Sequence, residues 1–116
     1  MTLGREGKLL RVFIGERDRY EHVPLYEWIV RKARERGVAG ATVLRGVEGF
    51  GATSELHKAN ILRLSADLPI IVEIVDTEEK IESFLDEIDD AISEGLATVE
   101  RVEVRFRRSR TEGGSN

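Results

Sequence analysis

The sequence contains no cysteine, which removes disulfide frameworks, thiolate nucleophiles and cysteine-built zinc sites together. Glutamine is also absent, and proline and asparagine occur only twice each, while Arg and Glu are abundant. That balance suits a heat-adapted chain rich in surface ion pairs. No apolar run approaches the ~20 residues of a membrane-spanning helix, and the first residues lack the apolar stretch of a secretory signal. The expectation is a cytoplasmic protein with no direct membrane insertion. Positive charge is in deficit: 22 acidic residues against 18 basic ones leave a net charge of −4. Sequence-independent nucleic-acid binding, which needs a dominant positive field, is therefore not expected. With 116 residues, 41% of them hydrophobic, the chain can fill the core of one domain but not of two.

The patterning alternates strands with helices. Lys8–Ile14 (KLLRVFI) reads as a strand with Leu10, Val12 and Ile14 on one face and Leu9, Arg11 and Phe13 on the other. After the polar connection GERDRYEH, Pro24 opens a helix carrying the stripe Leu25, Trp28, Ile29 and Ala33, and Gly37 ends it. Ala39–Gly51 alternates like a strand but is rich in glycine. Ala52–Ala66 is a connection of about 15 residues, long for a small domain, whose apolar content suggests that part of it packs, as a short helix or against another subunit. Leu68–Val75 (LPIIVEIV) is the most β-prone run and predicts a central strand. Thr77 stands where a cap belongs, ahead of the stripe Ile81, Phe84, Leu85, Ile88 and Ile92, and Gly95 closes that helix. In the last strand Ala97 and Val99 share one phase and Val102, Val104 and Phe106 the other, which suggests a bulge or a later start near Arg101.

The order βαββαβ predicts an α+β, ferredoxin-like sandwich over residues 8–107, with flexible tails at 1–7 and 108–116. Two helices can cover only one face of its four-stranded antiparallel sheet. The other face carries Leu9, Phe13, Leu44, Ile71 and Val75, and an apolar face of that kind is expected to meet another subunit.

Three segments are candidates for chemistry. In Arg45–Gly51 (RGVEGFG), Gly46, Gly49 and Gly51 weaken a strand, so they mark either a twisted strand end or a backbone concavity that cradles an anion beside Arg45. The run through Gly51, Ala52 and Thr53 resembles a phosphate-binding P-loop but lacks its lysine. The long connection offers His57, Lys58 and Arg63. His57 can be a general base, a ligand or simply a solvated side chain, and no metal-ligand spacing accompanies it, so no metal is expected. Arg105 and Arg107 belong to a C-terminal arginine cluster that is either a solvated edge, paired with the acidic second helix or another subunit, or a guanidinium surface for phosphate or carboxylate groups. No Ser–His–Asp order and no H-E-x-x-H helix is present.

From Lys8 to Phe106, and most specifically in ATVLRGVEGFG (41–51) and LSADLPIIVEIVD (64–76), the chain resembles the family called domain of unknown function 190. That family is similar to the PII signalling proteins, whose ferredoxin-like subunits form trimers with their sheets facing the centre. The resemblance implies a homotrimer, an adenine nucleotide or other small anionic effector bound between subunits, and a 52–66 loop that contacts a membrane transporter or channel. It places Arg45, Gly46, Gly49, Phe50 and Gly51 in the cleft, with His57, Lys58 and Arg63 assisting and Arg105 and Arg107 reaching in from a neighbour. Two departures are visible. The Gly-rich basic turn that holds ATP in PII proteins is replaced by SEGLATVE (93–100), with one glycine and no cation, and 52–66 contains no tyrosine to match the one that is uridylylated in the corresponding loop of PII proteins. Two other readings stay open: a small enzyme using His57 with a carboxylate on a phosphorylated or carbonyl substrate, and a metal-binding oligomer.

Overall fold

The computed structural model describes residues 5–50, 56–58 and 67–109. Its main sheet has four antiparallel strands: β1 (Glu6–Gly15), β4 (Ala41–Arg45), β7 (Pro69–Asp76) and β8 (Leu96–Glu103), in the order β4-β7-β1-β8. Helices α1 (Leu25–Glu35) and α2 (Glu78–Ile88) cover one face. This is the βαββαβ sandwich that the patterning predicts. Two short ladders are added to it, β2 (Arg19–Tyr20) with β3 (Val23–Pro24), and β5 (Glu48–Phe50) with β6 (Leu56–Lys58).

Alternation along the two central strands builds the core. Leu10, Val12 and Ile14 of β1 stand beside Ile70, Val72 and Ile74 of β7, all buried. The helices complete the layer with Leu25, Ile29 and Ala33 from α1 and Ile81, Phe84 and Ile88 from α2. Each large aliphatic or aromatic side chain buried here contributes roughly 1.5–3 kcal/mol relative to leaving it in water. Trp28, which shares the stripe of α1, is only partly buried and packs edge-on against Tyr20 with ring centroids 4.7 Å apart.

Local chemistry fixes the helix ends. Thr77 caps α2, its Oγ1 accepting the Lys80 amide at 3.3 Å. At the end of α1 the Gly37 amide donates to the Arg34 carbonyl and the Val38 amide to the Ala33 carbonyl. Gly37 itself sits at φ +68, completing a Schellman motif that a residue with a Cβ would strain. Lys80 then donates to the carbonyls of Arg36 and Gly37, and Arg36 pairs with Glu87, so the two helices are pinned where α1 ends.

Several expectations are corrected. β1 begins at Glu6 rather than Lys8, because Glu6 and Gly7 pair with Glu103 and Val102 of β8. The Ala39–Gly51 strand is two strands, β4 and β5, broken at Gly46–Val47. A bulge near Arg101 is absent: β8 pairs with β1 residue for residue from Leu96↔Phe13 to Glu103↔Glu6. Its two apolar phases serve two faces, with Ala97 and Val99 opposite the core residues Val12 and Leu10, and Val102 opposite Gly7 on the uncovered side. Within the long connection, 56–58 is strand rather than helix, and 52–55 and 59–66 lie outside the described residues. The connection GERDRYEH contains a hairpin whose central residues Glu21 and His22 have φ 51 and 71. This is the primed turn that suits a two-residue hairpin, formed here without the usual Asn or Gly. Arg19 holds it, donating to the His22 carbonyl at 2.6 Å.

Candidate functional site

Arg45 ends the edge strand β4, opposite Ile70 of β7. The Gly46 amide donates to the Pro69 carbonyl at 2.8 Å, so it is already committed within the sheet. A Cβ on Gly46 would lie 2.7 Å from Pro69 Cγ, and one on Gly49 would lie 3.1 Å from the same atom. Both glycines therefore let the chain turn closely over the Pro69 ring, which is the strand-end reading of this segment. The ladder β5–β6 sets His57 opposite Gly49 and Lys58 opposite Glu48. The structure thus brings Arg45, Gly46, Gly49, Phe50, His57 and Lys58 to one end of the sheet. Gly51 and Arg63 lie outside the described residues.

The Arg45 guanidinium already has an anion. Its Nη2 meets Glu16 Oε2 at 2.5 Å, from the turn that follows β1. That turn is bound in its own right, with the Glu16 amide donating to the Leu68 carbonyl and the Arg17 amide to Asp67 Oδ1, both at 2.8 Å. Sequence reasoning missed Glu16 and Asp67. The signal it had was Glu16 and Asp67 standing at the two strand ends that adjoin Arg45, but a contact across 29 residues needs the strand register to appear.

Arg107 goes elsewhere. It donates to the Ala39 carbonyl at 3.3 Å, just before the opposite end of β4. Arg45 and Arg107 are therefore separated by a length of β4, roughly 13 Å at 3.3 Å per residue, and one chain does not bring them together. Strand β8 ends at Glu103 with one further bond, from the Val104 amide to the Arg5 carbonyl, so Arg105 and Arg107 lie past the strand rather than on its face. Around Arg107 a groove of about 430 Å³ is lined by Leu9, Ala41, Thr42, Val75 and Phe106 among others. Arg105 is exposed, and Arg108 stacks on Phe106 at 4.2 Å. In none of these contacts does the cluster meet α2, whose Glu87 is bound instead by Arg36.

Among the described residues no element covers the second sheet face, and its apolar side chains are the expected ones. Leu9, Phe13, Ile71 and Val75 are half-buried, Leu44 is 44% exposed and Leu96 59% exposed. At its middle Arg11 bridges two carboxylates, Glu73 at 3.0 Å and Glu100 at 2.6 Å. Those two hydrogen bonds, to Glu73 first and Glu100 second, raise the affinity of Arg11 for its proton. At the far end of β7 the Asp76 carboxylate is fully buried and accepts two backbone amides, Ala39 at 2.8 Å and Thr77 at 2.7 Å. It fastens the approach to β4 onto the start of α2. No helix among the described residues is long and apolar enough to cross a membrane.

Comparison with known proteins agrees with this fold. The model of the family described as uncharacterized ACR, domain of unknown function 190, matches residues 7–104. A UPF0166 protein of Aquifex aeolicus is 46% identical over 99 residues, 85% of this chain and 93% of the relative. In structure the chain is similar to CPII, a nitrogen regulatory PII-like protein from Thiomonas intermedia solved with ADP, AMP and bicarbonate. The TM-score is 0.66 at 17% identity, over 85% of this chain and 88% of that one. It is also similar to a candidate PII-like signalling protein of Thermus thermophilus, with a TM-score of 0.63 at 20% identity, covering 90% and 93% of the two chains. The chain belongs to the domain of unknown function 190 family and has the ferredoxin-like fold of PII-like proteins.

Proposed function

We propose that this protein is a PII-like regulator that assembles as a homotrimer through its open sheet face. A small anionic effector, an adenine nucleotide, binds between copies. Arg45 of one copy meets the effector's anionic group, with His57 and Lys58 close by on the same sheet end and Arg105 and Arg107 supplied by a neighbour. Effector occupancy changes how loop 52–66 is presented to a partner protein, a membrane transporter or channel. Coupling of this kind requires only that the effector bind one loop arrangement more tightly than the other.

The observation that carries this reading is the position of Arg45. It is a guanidinium at the end of an edge strand, in register with the core residue Ile70 and so on the helix side of the sheet, next to Leu44 on the apolar face that no element among the described residues covers. Arg107 stands at the other end of the same strand, so only a second copy can add its charge to Arg45. The ADP bound to the Thiomonas protein of like fold supports the choice of effector class.

The test is Arg45→Ala. Losing one charge-assisted contact of about 1.5–3 kcal/mol should weaken ADP binding roughly 10–100-fold in calorimetric titration, with the assembly unchanged in native mass spectrometry. ADP bound equally well by wild type and Arg45→Ala would remove Arg45 from the site.

A further inference from the structure

We infer that Glu16 is a built-in competitor for the effector site, a resident carboxylate that an incoming oxyanion must displace from Arg45. The inference rests on the reading above that Arg45 receives the effector's anionic group. Its own observation is independent, however: the Arg45 guanidinium is occupied by Glu16 at 2.5 Å, and the Gly46 amide beside it is taken by the Pro69 carbonyl. At this end of β4 one guanidinium donor of Arg45 and the Gly46 amide are therefore already taken from within the chain.

The occupant is held in place, not loosely draped. Its own amide is bonded to the Leu68 carbonyl and the next amide, that of Arg17, to the Asp67 carboxylate. The turn is closed further by Asp18, whose carboxylate accepts the Gly15 amide at 3.0 Å. Glu16 is thus delivered to Arg45 by a backbone that follows β1 and is tied to Asp67 and Leu68, the residues that lead into β7, β4's own hydrogen-bond partner. Arg45–Glu16 and Gly46–Pro69 together clasp the ends of β1, β4 and β7.

Two consequences follow for specificity. A ligand must offer Arg45 an oxyanion that competes with a carboxylate, such as a phosphate group or a bicarbonate ion, since a neutral or cationic ligand gains nothing by displacing Glu16. Displacement also has a readout on the protein, because it frees one side of the turn that bonds Leu68 and Asp67. The apparent affinity of such a ligand is reduced by the fraction of molecules in which Glu16 holds Arg45.

The experiment titrates wild type, Glu16→Gln, Arg45→Ala and the double variant with ADP and, separately, with sodium bicarbonate. Affinity is read by calorimetry and the Glu16 and Gly46 amides by NMR. For an exposed pair the expected gain in Glu16→Gln is about 2–5-fold tighter binding. Arg45→Ala should bind weakly, and the double variant should bind no better than Arg45→Ala. In wild type the two amide signals should move with ligand occupancy. If only ADP gains from Glu16→Gln, the competing group is the phosphate; if only bicarbonate gains, it is the carbonate oxyanion. Binding that is lost in Arg45→Ala yet unchanged or weakened in Glu16→Gln overturns the competitor role alone. Binding that ignores both substitutions, or no binding of either probe to any form, overturns the Arg45 site and the competitor with it.

Discussion

Replacing Gly46 by alanine tests whether the glycines of segment 45–51 are there for close packing. The added Cβ would lie 2.7 Å from Pro69 Cγ and 3.5 Å from both Pro69 Cβ and the Pro69 carbonyl oxygen. Carbon atoms pack best at about 3.5–4.0 Å, so roughly an ångström must be recovered by movement. The proline ring has only a change of pucker to move Cγ, and the Gly46 amide is bonded to the same residue at 2.8 Å, so what the pucker does not relieve the backbone must, by shifting against its own hydrogen bond. Overpacking of this kind costs about 1–3 kcal/mol. Part is offset by the ~0.4–1 kcal/mol that alanine recovers by restricting the unfolded chain. The net expectation is a loss of about 1–2 kcal/mol. At Gly49 the nearest approach is 3.1 Å to the same ring carbon, and Gly49→Ala should fall within about 1 kcal/mol of neutral. Pro69→Ala removes the colliding atom, so the pair Gly46→Ala and Pro69→Ala should show a coupling of about 1 kcal/mol or more in a double-mutant cycle. The assay is urea unfolding followed by far-ultraviolet circular dichroism, at one fixed protomer concentration because assembly adds to apparent stability. Gly46→Ala as stable as wild type, or a cycle that is simply additive, would refute the packing argument.

Three further outcomes are expected. Asp76→Ala leaves the Ala39 and Thr77 amides without their buried acceptor and should cost about 2–5 kcal/mol in urea unfolding, with Asp76→Asn, which keeps one acceptor oxygen, costing less. The Arg36 guanidinium hydrogen-bonds Glu87 and holds its carboxyl below the usual range. A depressed folded value stabilises the protein above the unfolded carboxyl's pKa, and that stability is lost as pH falls through the folded one. The stability difference between wild type and Glu87→Gln should therefore be present near neutral pH and shrink as the solution is acidified below the ordinary carboxylate range; a difference that is constant with pH contradicts the assignment. Ile71→Asp sets a charge in the middle of the open sheet face and should yield folded monomers in size-exclusion chromatography, whereas an intact oligomer would move the interface elsewhere.

Where a single element decides its own conformation, the sequence was enough. Thr77 caps α2, Gly37 ends α1 in the left-handed region, and the Ile81–Phe84–Ile88 stripe faces the sheet, because each depends on neighbours within one turn of chain. The uncovered sheet face was equally legible, since strand alternation assigns Leu9, Phe13, Ile71 and Val75 without knowledge of any partner strand. Features set by register were not. The two apolar phases of β8 look like a slip when read alone and become two faces once β1 lies beside them. The hairpin at Glu21 and His22 carries none of the glycine or asparagine that announces such turns, and it is held by a contact from Arg19 and by Tyr20 against Trp28. The candidate site was legible as residue types near one another in sequence, Arg45 with its glycines. Its charge state was not, because Glu16 arrives from another strand end and converts a bare guanidinium into an ion pair. The burial of Asp76 was hidden for the same reason: one of its two amide partners, Ala39, is 37 residues away.

The claim at the centre of this account is that the open sheet face joins copies of the chain around an anionic effector. Native mass spectrometry of the protein purified directly from its source cells tests it most directly. The account predicts the mass of three chains with an adenine nucleotide retained between them, and loss of that nucleotide mass without loss of the trimer in Arg45→Ala. A monomer at micromolar concentration would contradict the assembly.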